Sequence, residues 1–272
     1  MAVMNSHLEE KFNSLKQWLM DAGSVAVAFS GGVDSMFLME VAFCVLGNKS
    51  AAFTASTATF TQKELEECKA YCASKGIGLH VVEFDQFAIK NFENNPKDRC
   101  YICKKSLFAK LKNQATSLGF CHVVDGTNFD DTKEYRPGMK ALEELTIESP
   151  LKELKFTKEE IRILSRELGI KGWDRGSFAC LATRFETGAK LTPRLLRQVE
   201  VCEKYLAEKG FRQYRVRVHE SKSAKSIARI EVSETDIIEI ARLKDEISDF
   251  FRRQGFDFIT VDLKGFKSGS MN

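Results

Sequence analysis

No apolar run in this 272-residue sequence approaches the ~20 residues that a membrane-spanning helix needs. The opening stretch, MAVMNSHLEEKFNSLKQWLMDAG, has an amphipathic helical pattern with both acidic and basic residues. It lacks the apolar run and the small-residue cleavage site of a signal peptide. An excess of one charge is missing too. Lys and Arg number 41 against 38 Asp and Glu, a net +3, too small to argue for a nucleic-acid partner. There is no internal repeat and no low-complexity tract. The composition, 43% hydrophobic and 29% charged, fits a soluble globular protein with a core of its own. The length allows one large domain or two modest ones. Eight cysteines in a chain of this size are no disulfide scaffold, and the expected compartment is the reducing cytoplasm.

Strand and helix patterns alternate from residue 24 to about 126. SVAVAF, ending at Phe29, reads as a buried parallel strand, and a helical pattern follows from about Val33 to Leu46. KSAAFTAS is a second strand. TQKELEECKAYCASKG is a helix with Thr61 as N-cap and Glu64 at the capping-box position. IGLHVVEF, KKSLFAKLKNQATSLG and FCHVVDG continue as strand, helix and strand. The alternation predicts an α/β fold, an open parallel sheet with helices on both faces. From Phe156 the pattern changes. TKEEIRILSRELG is a helix capped by Thr157 and Glu160 and stopped at Gly169. LTPRLLRQVEVCEKYLAEKG is a second helix. FRQYRVRVHE, AKSIARIEV, a single helix over ETDIIEIARLKDEISDFFRRQG and FDFITVDL then predict a small α+β domain. The expected division is 1–185 and 186–272.

AFSGGVDS joins the first strand to its helix. Two consecutive glycines let the backbone turn sharply and approach an anion closely. The helix N-terminus beyond them favours negative charge, and Ser30 and Ser35 add hydroxyls. Asp34 fits beside phosphates where a magnesium ion bridges them. The lysine of a Walker A loop is missing. Ser30, Gly31, Gly32, Val33, Asp34 and Ser35 resemble, position by position, the SGGxDS signature of the PP-loop ATP pyrophosphatases. That resemblance implies an adenine nucleotide alpha hydrolase-like domain. It also implies cleavage of ATP between its α and β phosphates, with AMP transferred to a substrate oxygen.

Three further stretches resemble one branch of that superfamily: NPKDRCYICKKSLF, DGTNFDDTKEYRPGMKAL and SPLKELKFTKEEIRILSRELGIKGWDRGSFACLATRF. With SGGVDS they are similar to the LarE family, the sulfur-inserting enzymes of nickel-pincer nucleotide biosynthesis. The similarity runs from about residue 8 to 264. It implies that ATP activates a carboxylate of pyridinium-3,5-biscarboxylic acid mononucleotide to an acyl adenylate, from which a sulfur nucleophile displaces AMP. The cysteine matching the family's sulfur handler is Cys180, and Arg184 or a neighbouring cation favours its thiolate. Thr54 and Ser56, at the end of the second strand, are placed to line the adenine pocket, although TASTATF departs from the family's text there, and Gly126 and Asn128 are placed at the ATP. Asp130 and Asp131 either orient magnesium or ribose or make turn chemistry. The family also implies a homo-oligomer, a trimer or hexamer.

Cys68 and Cys72, four apart on a helix, and Cys44, Cys121 and Cys202, each among apolar residues, read as packing. Cys100, Cys103 and Cys180 remain. Some family members give up the side-chain sulfur of one cysteine. Others carry three cysteines and hold an iron–sulfur cluster, the type this sequence resembles. Three thiolates can ligate three irons of a 4Fe–4S cluster and leave one iron open. Zinc and a redox pair are the competing readings of the CxxC; a second pair for zinc is missing.

YRVRVH alternates, which places Arg215, Arg217 and His219 on one face of a strand and Val216 and Val218 on the other. Two guanidinium groups there can clamp a phosphate, or the face can simply be solvated. The resemblance favours the substrate phosphate. Glu231 and Glu234 are weaker candidates, for a metal or an intersubunit contact. Two other functional classes stay open: an amide-forming enzyme like NAD synthetase, for which no glutaminase segment is present, and a tRNA thiolase, which the +3 charge does not favour.

Overall fold

The computed structural model describes residues 6–133, 137–174, 179–220, 225–267 and 271. Residues 175–178, ahead of Cys180, and Arg136 of RPGMKAL lie outside them. The chain packs as two units, Met1–Ile89 with Cys100–Phe178, and Lys90–Arg99 with Ala179–Asn272.

The first unit runs through α1 (Ser6–Ala22), β1 (Val25–Ala28), α2 (Val33–Leu46), β2 (Ser50–Ser56), α3 (Gln62–Lys75) and β3 (Leu79–Glu83). It continues with α4 (Arg99–Ser117), β4 (His122–Asp125), α5 (Pro137–Glu144), α6 (Pro150–Glu153) and α7 (Lys158–Glu167). All strand pairs are parallel, in the order β3-β2-β1-β4. Alternate residues of the central strand serve opposite layers. Val25 and Val27 pack with Leu15 and Leu19 of α1, Phe37 of α2 and Ile161 of α7, whereas Ala26 packs with Phe108 and Leu111 of α4 and Leu142 of α5. Helices therefore cover both faces, as the alternation predicts. Both capping boxes form: Thr61 accepts from the Glu64 amide and Thr157 from the Glu160 amide, and each glutamate returns a bond.

The second unit holds α8 (Pro193–Glu208), β5 (Tyr214–Glu220), β6 (Ser226–Val232), α9 (Ile237–Arg242), α10 (Lys244–Arg253) and β7 (Phe258–Val261). Its sheet is mixed, β5 antiparallel and β7 parallel to the central β6. Residues 90–99 belong with it through their hydrogen bonds. Asn95 donates to the Glu186 carbonyl (2.6 Å), and the Gly188 and Leu191 amides donate to the carbonyls of Asn95 (2.9 Å) and Glu93 (2.6 Å).

Three expectations need correction. The single C-terminal helix is two, because Leu243 (φ −90°, ψ 15°) leaves the helical well and interrupts the run. The helix read from Lys104 begins at Arg99, because the Arg99 amide bonds to the Pro96 carbonyl (2.9 Å) and the turn rolls straight into α4. Cys44 and Cys121 are exposed, not packed. Cys44 lies near the end of α2 and Cys121 just before β4, so apolar sequence neighbours do not enclose them. Cys68, Cys72 and Cys202 are buried, as expected. Among the described residues no helix is long and apolar enough to cross a membrane.

Candidate active site

The phosphate loop stands at the carboxyl end of β1, where open parallel sheets place their ligands. Gly31 has φ 72°, a conformation costly for any residue with a side chain. A Cβ there would also lie 3.0 Å from the Cys68 sulfur. The Ser30 and Ser35 hydroxyls meet at 3.2 Å, and the Ser35 hydroxyl donates to the Gly32 carbonyl at 3.0 Å. These bonds fix the turn from its own residues. α2 starts at Val33 with no side-chain cap at Gly32. Its first amides, which have no partner within a helix, are left for an anion.

Gly126 completes the seat from β4. A Cβ at Gly126 would come within 2.8 Å of the Ser35 amide nitrogen and 3.1 Å of the Asp34 carbonyl carbon. Only glycine lets the end of β4 approach the loop this closely. Asn128 is buried, and its side-chain oxygen accepts from the amides of Asp130 (2.9 Å) and Asp131 (3.2 Å). Asp131 accepts from the Asn128 amide, and Asp130 from the Lys158 amide at the start of α7. Both aspartates thus shape the turn after β4. Thr54 is buried in β2 with its hydroxyl toward Cys68, whose thiol burial pushes up to about 12.

Asp34 extends from the first turn of α2 and one of its oxygens, Oδ2, pairs with the Lys158 ammonium. Among the described residues its Oδ1 is buried without a hydrogen-bond partner. Burial is the largest influence and raises the Asp34 pKa above its usual 3.8; the Lys158 charge opposes this and the Asp131 charge adds to it. A buried oxygen of this kind suits a hard cation, so Asp34 fits magnesium in donor chemistry. Lys158 was not legible as a site residue, because it sits inside an ordinary capped helix 124 positions from its partner. It borders an open cleft of about 550 Å³ along α7, with Asp130, Arg162, Arg166 and Trp173.

The second unit carries Cys180, exposed at the start of a 3-10 turn, Leu181–Arg184. Arg184 is buried and grips both oxygens of Glu203 in α8 (2.8 and 2.9 Å), a two-pronged geometry suited to a guanidinium. Its Nη1 donates to the Ala179 (2.7 Å) and Cys180 (3.3 Å) carbonyls. Arg217 is also buried, with Nε and Nη2 on Glu231 (3.0 and 2.9 Å) and Nη1 on the Thr183 carbonyl (2.9 Å). Arg184 and Arg217 therefore fasten the backbone on both sides of the cysteine turn. Arg215 is half-buried over the Phe266 ring (5.2 Å). Burial first and the Arg184 charge second lower its pKa, while the Glu203 carboxylate opposes them. Glu203 was not foreseen; in sequence it resembles any acid on an amphipathic helix.

Cys100 and Cys103 occupy the first turn of α4 in the first unit, and Cys180 belongs to the second. None of the eight cysteines is in a disulfide. Cys100 and Cys180 are exposed and Cys103 is partly so, and as soft donors the three thiols suit iron. Among the described residues no three His, Cys, Asp or Glu side chains are gathered to hold a metal ion.

No family model matches the chain. It is 35% identical over 266 residues to the pyridinium-3,5-bisthiocarboxylic acid mononucleotide synthase of Lactiplantibacillus plantarum, covering 97% of this chain and 95% of that protein. The chain belongs to the LarE family. An uncharacterized protein of Synechocystis is 37% identical over 267 residues, 97% of this chain and 98% of that protein. A weaker likeness, 26% over 174 residues, links this LarE-family chain to a glutamine-hydrolyzing GMP synthase component of Methanococcus maripaludis, with 60% of this chain and 55% of that protein covered. That more distant relative fits the parallel-sheet fold of the first unit.

Proposed function

We propose that this LarE-family protein is an ATP-dependent sulfurtransferase that converts the carboxylates of pyridinium-3,5-biscarboxylic acid mononucleotide to thiocarboxylates. The observation that carries the reading is full-length similarity to a bisthiocarboxylic acid mononucleotide synthase in a chain that keeps both a phosphate loop and an exposed Cys180.

A carboxylate is a poor electrophile and needs a better leaving group. Its oxygen attacks the α-phosphorus of ATP, the bond to the β-phosphate oxygen breaks, and pyrophosphate leaves. The α2 amides and the Ser30 and Ser35 hydroxyls receive the phosphates, and Lys158 turns from Asp34 toward the added negative charge. Magnesium at Asp34 would neutralise phosphate charge. Thr54, Gly126 and Asn128 shape the nucleotide seat. A sulfur nucleophile then adds to the acyl carbon, AMP departs with the former carboxylate oxygen, and the C–S bond remains. Thiolates attack far more readily than thiols. Arg215, with Arg217 behind it, holds the substrate phosphate, and Arg184 positions the Cys180 turn. Cys100, Cys103 and Cys180 would hold a 4Fe–4S cluster, which when bound supplies an open iron able to carry an extra sulfide.

Anaerobic purification with assay of iron and acid-labile sulfide tests the cluster. The expected result is about four irons per chain, lost in Cys100→Ala. No iron after anaerobic reconstitution would leave a single-use Cys180, read as the loss of one sulfur mass per turnover.

A further inference from the structure

Gln86 begins a 3-10 turn, Gln86–Ala88, directly after β3, and only 3% of it is exposed. The turn is fixed at its start, where the Asp85 carboxylate accepts from the Phe87 amide (2.9 Å), and at its end, where the Ile89 amide donates to the Gln86 carbonyl (3.2 Å). Two contacts define the buried side chain. Oε1 accepts from the Thr59 backbone amide at 3.1 Å, and Nε2 donates to the Cys103 sulfur at 3.1 Å. The first contact decides the second. The Thr59 N–H can only donate, so the carbonyl end of the amide must face it and the NH2 end must face the sulfur. Asp85, Gln86, Thr59 and Cys103 all lie in the first unit.

We infer that Gln86 is a positioning residue for the Cys103 sulfur. It holds the sulfur in place with an N–H donor whose own orientation is locked from behind by Thr59. A hydrogen bond gains strength when its acceptor is charged. The contact fixes where this sulfur lies, whether as a free side chain or bound to iron. Donors to ligand sulfurs are among the levers that set a cluster's potential. The role in sulfur delivery rests on the function proposed above; the bond itself does not.

The test separates the two. The full-length protein, purified in air and not reconstituted with iron, is treated with iodoacetamide, and alkylation of Cys103 and of exposed Cys121 is followed by peptide mass spectrometry. Gln86→Glu keeps an acceptor for Thr59 but replaces the donor to sulfur with an acceptor. Gln86→Met removes both contacts at similar volume. The expected result is a change of at least about threefold in the Cys103 to Cys121 rate ratio in both variants, each still melting cooperatively. An unchanged ratio in both variants overturns the inference. So does a ratio unchanged in Gln86→Glu and altered only in Gln86→Met, which would make Gln86 a prop for Thr59 alone. A changed ratio in a protein that binds no iron would keep the Gln86 contact and remove the cluster.

Discussion

At the phosphate loop the backbone does most of the shaping, whereas at the Cys180 turn buried side chains do. The loop relies on Gly31 at φ 72°, on uncapped α2 amides and on the absence of a side chain at Gly126. Its one acid, Asp34, keeps Oδ1 buried with no hydrogen-bond partner among the described residues. In the cysteine turn, by contrast, two buried arginines are tied to two buried glutamates and then to backbone carbonyls. The first arrangement leaves polar capacity for a ligand. The second uses most of its polar capacity to hold one loop. The loop is thus built from amides and glycine, and the cysteine turn is braced by ion pairs.

Breaking the brace should have the largest effect. Arg184→Met leaves the Glu203 carboxylate buried without its ion-pair partner, and removing one member of such a pair costs about 3–5 kcal/mol. The urea midpoint should fall accordingly, and Arg184→Met with Glu203→Leu should recover part of it. A loss below about 1 kcal/mol would place this pair with surface ion pairs and erase the contrast.

The loop should respond less in stability and more in binding. Gly126→Ala inserts a Cβ 2.8 Å from the Ser35 amide, so β4 or α2 must shift, at about 1–3 kcal/mol. ATP affinity by calorimetry should fall at least about tenfold, with a modest loss in melting temperature. Unaltered ATP affinity would separate this glycine from the nucleotide seat.

The smallest effect concerns pH. Burial raises the folded pKa of Asp34 above 3.8, so its protonated form is the one that folding favours. That contribution is complete below the unfolded pKa and is lost as pH rises through the folded pKa. Asp34→Asn does not titrate. Its melting temperature relative to the parent should therefore rise as pH climbs from the usual carboxylate value of 3.8 through the raised folded pKa. A relative stability that falls over this range would mean that the Lys158 pair outweighs burial.

How legible each region was in the sequence follows from the same contrast. SGGVDS and the Thr61 and Thr157 capping boxes are local, so a few adjacent residues carry their geometry. The sequence points to Gly126 as a nucleotide residue, but its steric reason appears only when β4 lies beside β1. The Asp34–Lys158 pair spans 124 positions, and Glu203, Glu231 and Gln86 meet their partners only through tertiary packing. Residues 90–99 join the second unit by backbone bonds that leave no compositional trace. Cys44 and Cys121 misled because apolar neighbours in sequence are not walls in space.

One measurement tests the central claim most directly. The anaerobic protein is given ATP, magnesium, inorganic sulfide and the biscarboxylate mononucleotide, pyrophosphate release is followed, and the nucleotide product is weighed by mass spectrometry, beside Cys180→Ala. The account predicts pyrophosphate release that requires the mononucleotide and a product in which oxygen has been exchanged for sulfur. Cys180→Ala should still release pyrophosphate but make no sulfur product. Pyrophosphate release that needs ammonia or tRNA instead, or a sulfur product that Cys180→Ala makes equally well, would contradict it.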